Sequence, residues 1–530
     1  MAYPARLRAR PRAPGAVLGT ALGAALGAWL LAACHGRAAD EIVREPGSAL
    51  DEFSVTLDAE APGTPVNRLL LGSNVQWVDR GDDLLDDGGR LRPDMLAAVL
   101  AMRPGILRYP GGSQADTYHW ERGLGVPGAR GENEHFHSKR LQSTLMGTQE
   151  FLELCEAAGA AALITVNLAS GGAEEAAGWV RLTNRQGLVS RRTGARLPPV
   201  KYWELGNEPY LKDDAQPQLW LTPQEFARRA QAFALAMRAV DPDIVLLLPL
   251  TNDTRNGFPA TPYPGFTRTV LDDFTAPIDL ISLHNAYLPF AMEREHSRAA
   301  LYWGAMGASR TVLADFAAMR ALLHTLRPAA HWRFALTEYN AIFTLGRGAS
   351  DDLVASPVAA LYVADLLRVL AGMPDLALAN YWSLSGNWRF GAVRSDGAPR
   401  PAMAVLALYN ELLQGAMVSV DMHSQTVDTP SVGGSAAVRG LNLVEALATR
   451  HDRTLRLLLI HKDEIRAGHG LVHLRHAQVA AAHLTVLGWQ DPWAVDAADQ
   501  PSSRPLPAGP DIGVDLPPHS LALLTVDLAT

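Results

Sequence analysis

From about residue 69 to about residue 413, short apolar runs alternate with stretches whose apolar positions recur at helical spacing. Residues 69–75, 106–109, 161–168, 200–206, 244–250, 278–283, 334–337 and 376–381 have the length and aliphatic or aromatic character of buried strands. Between them, helices are predicted near 93–102, where Met95, Val99 and Leu100 share a face, and at 148–157, 174–183, 223–240, 311–326, 357–370 and 402–413. Thr222-Pro223-Gln224-Glu225 is a capping box with proline in the first turn, and Ser356-Pro357 opens another helix in the same way. Eight apolar runs separated by helices predict an α/β fold, a (β/α)8 TIM barrel over 63–414. A doubly wound open sheet is disfavoured, because no glycine-rich phosphate turn follows the first run.

The texture changes at Gly415. Residues 418–422, 455–460, 473–483, 484–487 and 521–526 alternate or run apolar between Gly/Pro-rich breaks, which predicts a β-sandwich domain over 415–530. Phe53-Ser54-Val55-Thr56-Leu57 alternates too, and precedes every barrel signal, so 51–62 is assigned as the first strand of that sandwich.

The N-terminus has a different pattern. Arg6, Arg8, Arg10 and Arg12 precede an uncharged apolar stretch from 16 to 33, closed by Leu31-Ala32-Ala33-Cys34. This predicts a lipoprotein signal peptide over 1–33, lipidation of Cys34, and a polar tether over 34–50. The stretch is long enough to span a bilayer as an alternative, but its Ala/Gly richness and the small residues before Cys34 favour cleavage. The expected location is outside the cytoplasm, anchored to a membrane through Cys34, with His35 favouring the outer membrane.

Composition narrows the class further. A content of 48% hydrophobic and 19% charged residues with a formal charge of −8 is ordinary for a globular protein. No basic patch with interleaved aromatics occurs, so no nucleic-acid partner is expected. Two cysteines, Cys34 and Cys155, make no disulfide framework, and Cys155 falls on an apolar helical stripe as core. No metal or other cofactor is expected. His469 and His473 lie on a strand, too extended to converge on one ion, and His135 and His137 read as solvated loop residues. No Gly-x-Ser-x-Gly elbow follows a strand.

Two strand ends carry the candidate chemistry. Trp203-Glu204-Leu205-Gly206-Asn207-Glu208-Pro209 closes the fourth run, and Leu336-Thr337-Glu338-Tyr339-Asn340 closes the seventh. Carboxylates at the carboxyl ends of barrel strands sit where such folds place catalysis. Cleaving a glycosidic bond needs one carboxyl to protonate the leaving oxygen and a second at the oxocarbenium-like centre, about 5–5.5 Å away in retaining enzymes. The acid needs a raised pKa and the nucleophile an ionised state. Glu208 and Glu338 are therefore the candidate pair, and Glu204 is set aside as a glutamate that could mislead. Asn207 is a candidate for a sugar 2-hydroxyl, and Arg108 for holding the nucleophile ionised. His284 and Tyr287 could orient Glu338 or touch the sugar, Trp382, with Trp388 second, could stack on it, and His119 and Trp120 are rim candidates.

These segments resemble the retaining glycoside hydrolases of clan A, with the pair on strands four and seven. Leu107-Arg108-Tyr109-Pro110-Gly111-Gly112 with Tyr118-His119-Trp120, Val166-Asn167-Leu168 with Trp179-Val180, and 201–208 resemble the family 51 α-L-arabinofuranosidases. The resemblance implies that Glu208 is the acid/base, Glu338 the nucleophile, and a plant or microbial polysaccharide or oligosaccharide the substrate of an α-L-arabinofuranosidase-like activity. Three positions depart from the family pattern. Gln76 stands where the family has a sugar-binding Glu, Ser113 where it has Asn, and Thr-Glu-Tyr at strand seven where Asp-Glu-Trp is usual. A β-xylosidase, a β-glucuronidase, an endo-glycanase or a non-catalytic glycan-binding lipoprotein are the alternatives.

Overall fold

Eight parallel strands close on themselves: β1 (Gly72–Asn74), β2 (Ile106–Tyr109), β3 (Ala161–Thr165), β4 (Tyr202–Glu204), β5 (Val245–Pro249), β6 (Leu280–Leu283), β7 (Arg333–Ile342) and β8 (Leu376–Tyr381). Each pairs with its sequence neighbours, and β8 pairs with β1 to complete the barrel. This is a computed structural model, which describes residues 43–44, 50–211, 216–252, 263–291, 296–342, 353–386, 388–497 and 501–529. Ile106, Leu163, Leu247, Leu280, Ala335 and Leu378 fill the barrel's interior away from the site. The helices bury their other side against the outer faces of the strands.

Two strands differ from the sequence reading. The first was expected at 69–75, but Arg68–Leu70 forms a 3-10 turn and only Gly72–Asn74 pairs. The Asn67 side chain caps that turn and donates to the carbonyls of Leu376 and Ala377 at 3.2 and 3.0 Å, so a polar side chain fastens this end of the barrel. The seventh extends to Ile342, because a ninth parallel strand at Ala286–Pro289 pairs with its upper half. Its register slips between Leu336 and Tyr339. A slip of this kind lets two consecutive side chains face the same way, and Thr337 and Glu338 both reach into the barrel mouth.

The C-terminal part is a sandwich of a seven-stranded and a four-stranded sheet around Phe53, Val55, Leu57, Leu457, Leu459, Val472, Val514 and Leu524. The strand expected at 418–422 is two: Ala416–Val418 pairs in the larger sheet, and Val420–Ser424 pairs with Asp51–Asp58 in the smaller. The run expected at 473–483 also divides, into Gly468–Arg475 and Val479–Leu487, at a turn where His476 takes a left-handed backbone. Within the stretch read as a tether, Val43–Arg44 pair with Val427 and Asp428.

A buried charge cluster ties the two parts together. Lys462, from the sandwich, lies 2.9 Å from Asp365 on the helix Pro357–Ala371, with Arg368 2.8 Å from the other oxygen. Burial opposes ionisation of Asp365, but the two cations hold its carboxyl well below the usual range. No described helix is long and apolar enough to cross a membrane, and Cys34 lies outside the described residues.

Candidate active site

The mouth of the barrel is organised around Arg108, the third residue of β2, which is fully buried. Its Nε donates to Glu204 at 2.7 Å, one terminal nitrogen to Asn74 at 2.9 Å and to Glu338 at 2.8 Å, and the other to Asn207 at 2.8 Å. One guanidinium thus joins the ends of β1, β2, β4 and β7, which suits its planar array of donors.

Glu208 and Glu338 converge, as the sequence predicts. With His284 they present three polar atoms all within 4.8 Å of one another. That separation of the carboxyl groups fits a double displacement, whereas an inverting pair stands about 6.5–9.5 Å apart. The Glu208 side chain is 17% exposed and that of Glu338 5%, so the one that must exchange a proton with water is the more accessible. Gly206 and Glu208 both adopt left-handed backbone, at φ of +88° and +40°. For a glutamate this is a strained conformation, held here by the packed strand end.

His284, from the end of β6, lies with Nδ1 2.9 Å from Glu208 and Nε2 2.9 Å from the Thr337 hydroxyl, and is 3.8 Å from Glu338. It therefore serves Glu208, while Tyr287 on the ninth strand donates to Glu338 at 2.6 Å. Asn207 turns its carbonyl to Arg108, so its amide nitrogen is the end facing away. Trp382 packs with Tyr287 and Ile342, and Trp388 meets it edge-on at 5.3 Å. Beneath it, a Cβ on Gly112 would lie 2.5 Å from the indole, and φ there is +44°, so the position requires glycine.

Two readings of the sequence are corrected. Glu204, set aside, is fully buried and takes hydrogen bonds from Arg108, Thr165 and Thr337. The signal was present in its period: four residues before Glu208, at the last position of a strand, it points into the barrel. His135 and His137 are not solvated. His135 is buried and its Nδ1 accepts from the backbone of His137 and Ser138, and burial pushes His137 down to about 4. Of the rim candidates, His119 lies 3.0 Å from Glu175, and the Trp120 indole donates to the Glu175 carbonyl while its ring stacks on Trp179.

The electrostatics invert part of the expectation. Burial is the largest influence on Glu338 and pushes its carboxyl above the ordinary value, with the Glu208 charge adding to it. His284, Arg108 and the Tyr287 hydroxyl act the other way, favouring the anion. Burial disfavours a charged His284, but Glu338 and Glu208 override it and raise its pKa. Glu208, His284 and Glu338 have donor types a divalent cation could use, yet Glu338 already holds Arg108 on one oxygen and Tyr287 on the other. Within the trio, His284 is hydrogen-bonded to Glu208 and stands 3.8 Å from Glu338.

Tyr287→Phe removes one of the influences that keep Glu338 ionised. With Glu338 as the expected nucleophile, which acts as an anion, activity falls as pH drops through its pKa, and losing the hydroxyl raises that pKa further. The acid limb of the pH–kcat/KM profile moves to higher pH, and kcat drops about tenfold to a hundredfold, as for a lost hydrogen bond to a charged group. An acid limb unchanged in stopped-assay profiles would show that Tyr287 does not act on Glu338.

Known proteins bear on this geometry. Residues 98–275 match the family described as "Alpha-L-arabinofuranosidase 1 domain". Over 220 residues the chain is 31% identical to "Alpha-L-arabinofuranosidase C" of Emericella nidulans, covering 40% of this chain and 42% of that protein. It is 28% identical to "Intracellular exo-alpha-(1->5)-L-arabinofuranosidase" of Acetivibrio thermocellus, covering 44% and 48%. The matched stretch thus spans less than half the length of these curated relatives. Among solved structures, a family 51 α-L-arabinofuranosidase from Bifidobacterium longum superposes with a TM-score of 0.74 at 20% identity, over 89% of this chain and 99% of that one. The Thermotoga maritima α-L-arabinofuranosidase, solved as an arabinose complex, gives 0.69 at 21%, over 90% and 100%. At these identities the superpositions establish the shared barrel and sandwich. Over residues 98–275 the chain is thus similar to the α-L-arabinofuranosidase family, and over most of its length it shares the fold of the solved members.

Proposed function

We propose that this protein is a retaining α-L-arabinofuranosidase acting on arabinose-containing oligosaccharides or polysaccharides. The observation that carries the reading is the approach of Glu208, just after β4, and Glu338, within β7, to within 4.8 Å at the barrel mouth, in a chain whose residues 98–275 match this family. Glu208 protonates the glycosidic oxygen as Glu338 attacks the anomeric carbon and forms a glycosyl ester. Glu208, now a carboxylate, takes a proton from water, which attacks the same carbon and frees Glu338. Arg108 and Tyr287 hold Glu338 in line, Asn207 lies beside the acid to meet a sugar hydroxyl, and Trp382 offers an apolar face for the ring. A panel of 4-nitrophenyl glycosides (α-L-arabinofuranoside, β-xyloside, β-glucuronide, β-galactoside) tests it. Turnover is expected for the arabinofuranoside above the others, and a folded protein that cleaves none of them would sink the reading.

The arginines before the apolar stretch and the small residues before Cys34 support export and lipid anchoring. Cys34→Ser is expected to move the protein from the membrane to the soluble fraction; unchanged fractionation would refute the anchor.

A further inference from the structure

Glu204 takes no direct part in the two-carboxylate step, yet its acceptor positions face three donors. One oxygen accepts from Arg108 at 2.7 Å and Thr165 at 2.8 Å, and the other from Thr337 at 2.8 Å. Burial works against its ionisation, but Arg108, His284 and the two hydroxyls prevail and lower its pKa. An ionised carboxylate only accepts, and a threonine hydroxyl has one proton to give. Thr337 gives that proton to Glu204, so toward His284 its oxygen can only accept. Nε2 of His284, 2.9 Å away, must then carry a hydrogen. Nδ1 is left as the ring atom that shares a hydrogen bond with Oε1 of Glu208.

We propose that Glu204 is a positioning residue for both catalytic carboxylates, fixing the His284 tautomer through Thr337 on the Glu208 side and sharing Arg108 with Glu338 on the other. The proposal rests on Glu208 and Glu338 being the catalytic pair. No proton travels along the chain. Thr337 and Nε2 keep theirs, and only the Nδ1–Oε1 contact changes as Glu208 gives its proton to the leaving oxygen and regains one from water. The charged groups facing His284 are Glu208, Glu338 and Arg108, with Glu204 behind Thr337. The Glu204 anion favours the protonated ring, so removing it lowers the proton affinity of the His284–Glu208 pair. The same removal leaves more of the Arg108 charge to Glu338 and favours its anion.

Thr337→Val keeps the shape and loses the hydroxyl, while Thr337→Ser keeps the hydroxyl. With 4-nitrophenyl α-L-arabinofuranoside, the valine variant is expected to lose about tenfold in kcat, as for one net hydrogen bond. Its basic limb moves to lower pH with the acid limb in place, and serine restores both. Glu204→Gln moves both limbs to lower pH. A readout that needs no substrate is the ¹⁵N spectrum of histidine-labelled protein, with the His284 signals identified by their loss in His284→Asn. Nε2 is expected as a protonated nitrogen in wild type and Thr337→Ser, and as a tautomer mixture in Thr337→Val. An unprotonated Nε2 in wild type, or a valine variant that melts lower but keeps the wild-type pH profile and ¹⁵N shifts, would overturn the proposal and leave Glu204 a structural ion pair. Because the ¹⁵N signals need no turnover, a protein inactive on every glycoside would refute the function while the tautomer could still be read.

Discussion

Glu338→Gln lowers kcat by about four orders of magnitude or more, the scale seen when the nucleophile of a covalent mechanism is removed. The loss has two sources. An amide cannot form the glycosyl ester, and it presents no negative charge to the oxocarbenium-like centre. The fold survives, because glutamine still has an oxygen for Arg108 and fills the same volume between Arg108 and Tyr287. Substrate binding is retained, since the contacts to the sugar outside the reacting carbon remain. The discriminating measurement pairs steady-state kinetics on an aryl arabinofuranoside with thermal unfolding of the same preparation. A well-folded variant with more than about a tenth of wild-type turnover would assign the nucleophile elsewhere, since removing any single activating contact costs about that much.

Arg108→Met destabilises the protein by about 3–5 kcal/mol, the cost of leaving a buried charge without its partner. The guanidinium is the shared donor for Glu204, Glu338, Asn74 and Asn207, and methionine replaces none of those contacts. Glu204 and Glu338 then face each other across the barrel mouth without an intervening cation. Both are driven toward the neutral form, because Arg108 is among the influences that lower each of them. Activity is lost through the nucleophile, and its acid limb moves to higher pH in whatever turnover is left. Urea unfolding followed by intrinsic fluorescence measures the first effect. A variant with wild-type stability would mean that the buried cation's desolvation cost cancels its pairing, so that Arg108 matters for chemistry alone.

The difference between these two sites explains how much of the molecule was legible. The eight strands could be read because each is a short apolar run, and burial on both faces leaves that mark directly in the residues. Glu208 and Glu338 could be read because the carboxyl end of a barrel strand is a position countable along the chain. Arg108 followed from the same rule. Glu204 did not, because its place at the end of β4 shows only that it points into the barrel and not which three donors converge on it from β2, β3 and β7. His284 was placed at the site, but only the register of β6 against β7 and the slip after Leu336 decide that it hydrogen-bonds Glu208 while standing 3.8 Å from Glu338. The strands at 444–451 and 511–516 in the sandwich, and 438–442 in a separate three-stranded sheet, went unread: the first is largely buried and carries no alternation, and the others are short and interrupted by charged residues and glycine.

The amino-acid sequence alone determined the barrel, the sandwich after it, and the two glutamates available for bond cleavage, because burial and strand-end position are local properties of a short segment. Tertiary structure decided the rest: which donors each carboxylate receives, the backbone strain at Glu208, the shared contacts of Arg108 and the line of contacts that runs from His284 through Thr337 to Glu204. Those depend on atoms tens to hundreds of residues apart coming within 3 Å, and no local pattern encodes the direction in which a side chain meets its partner.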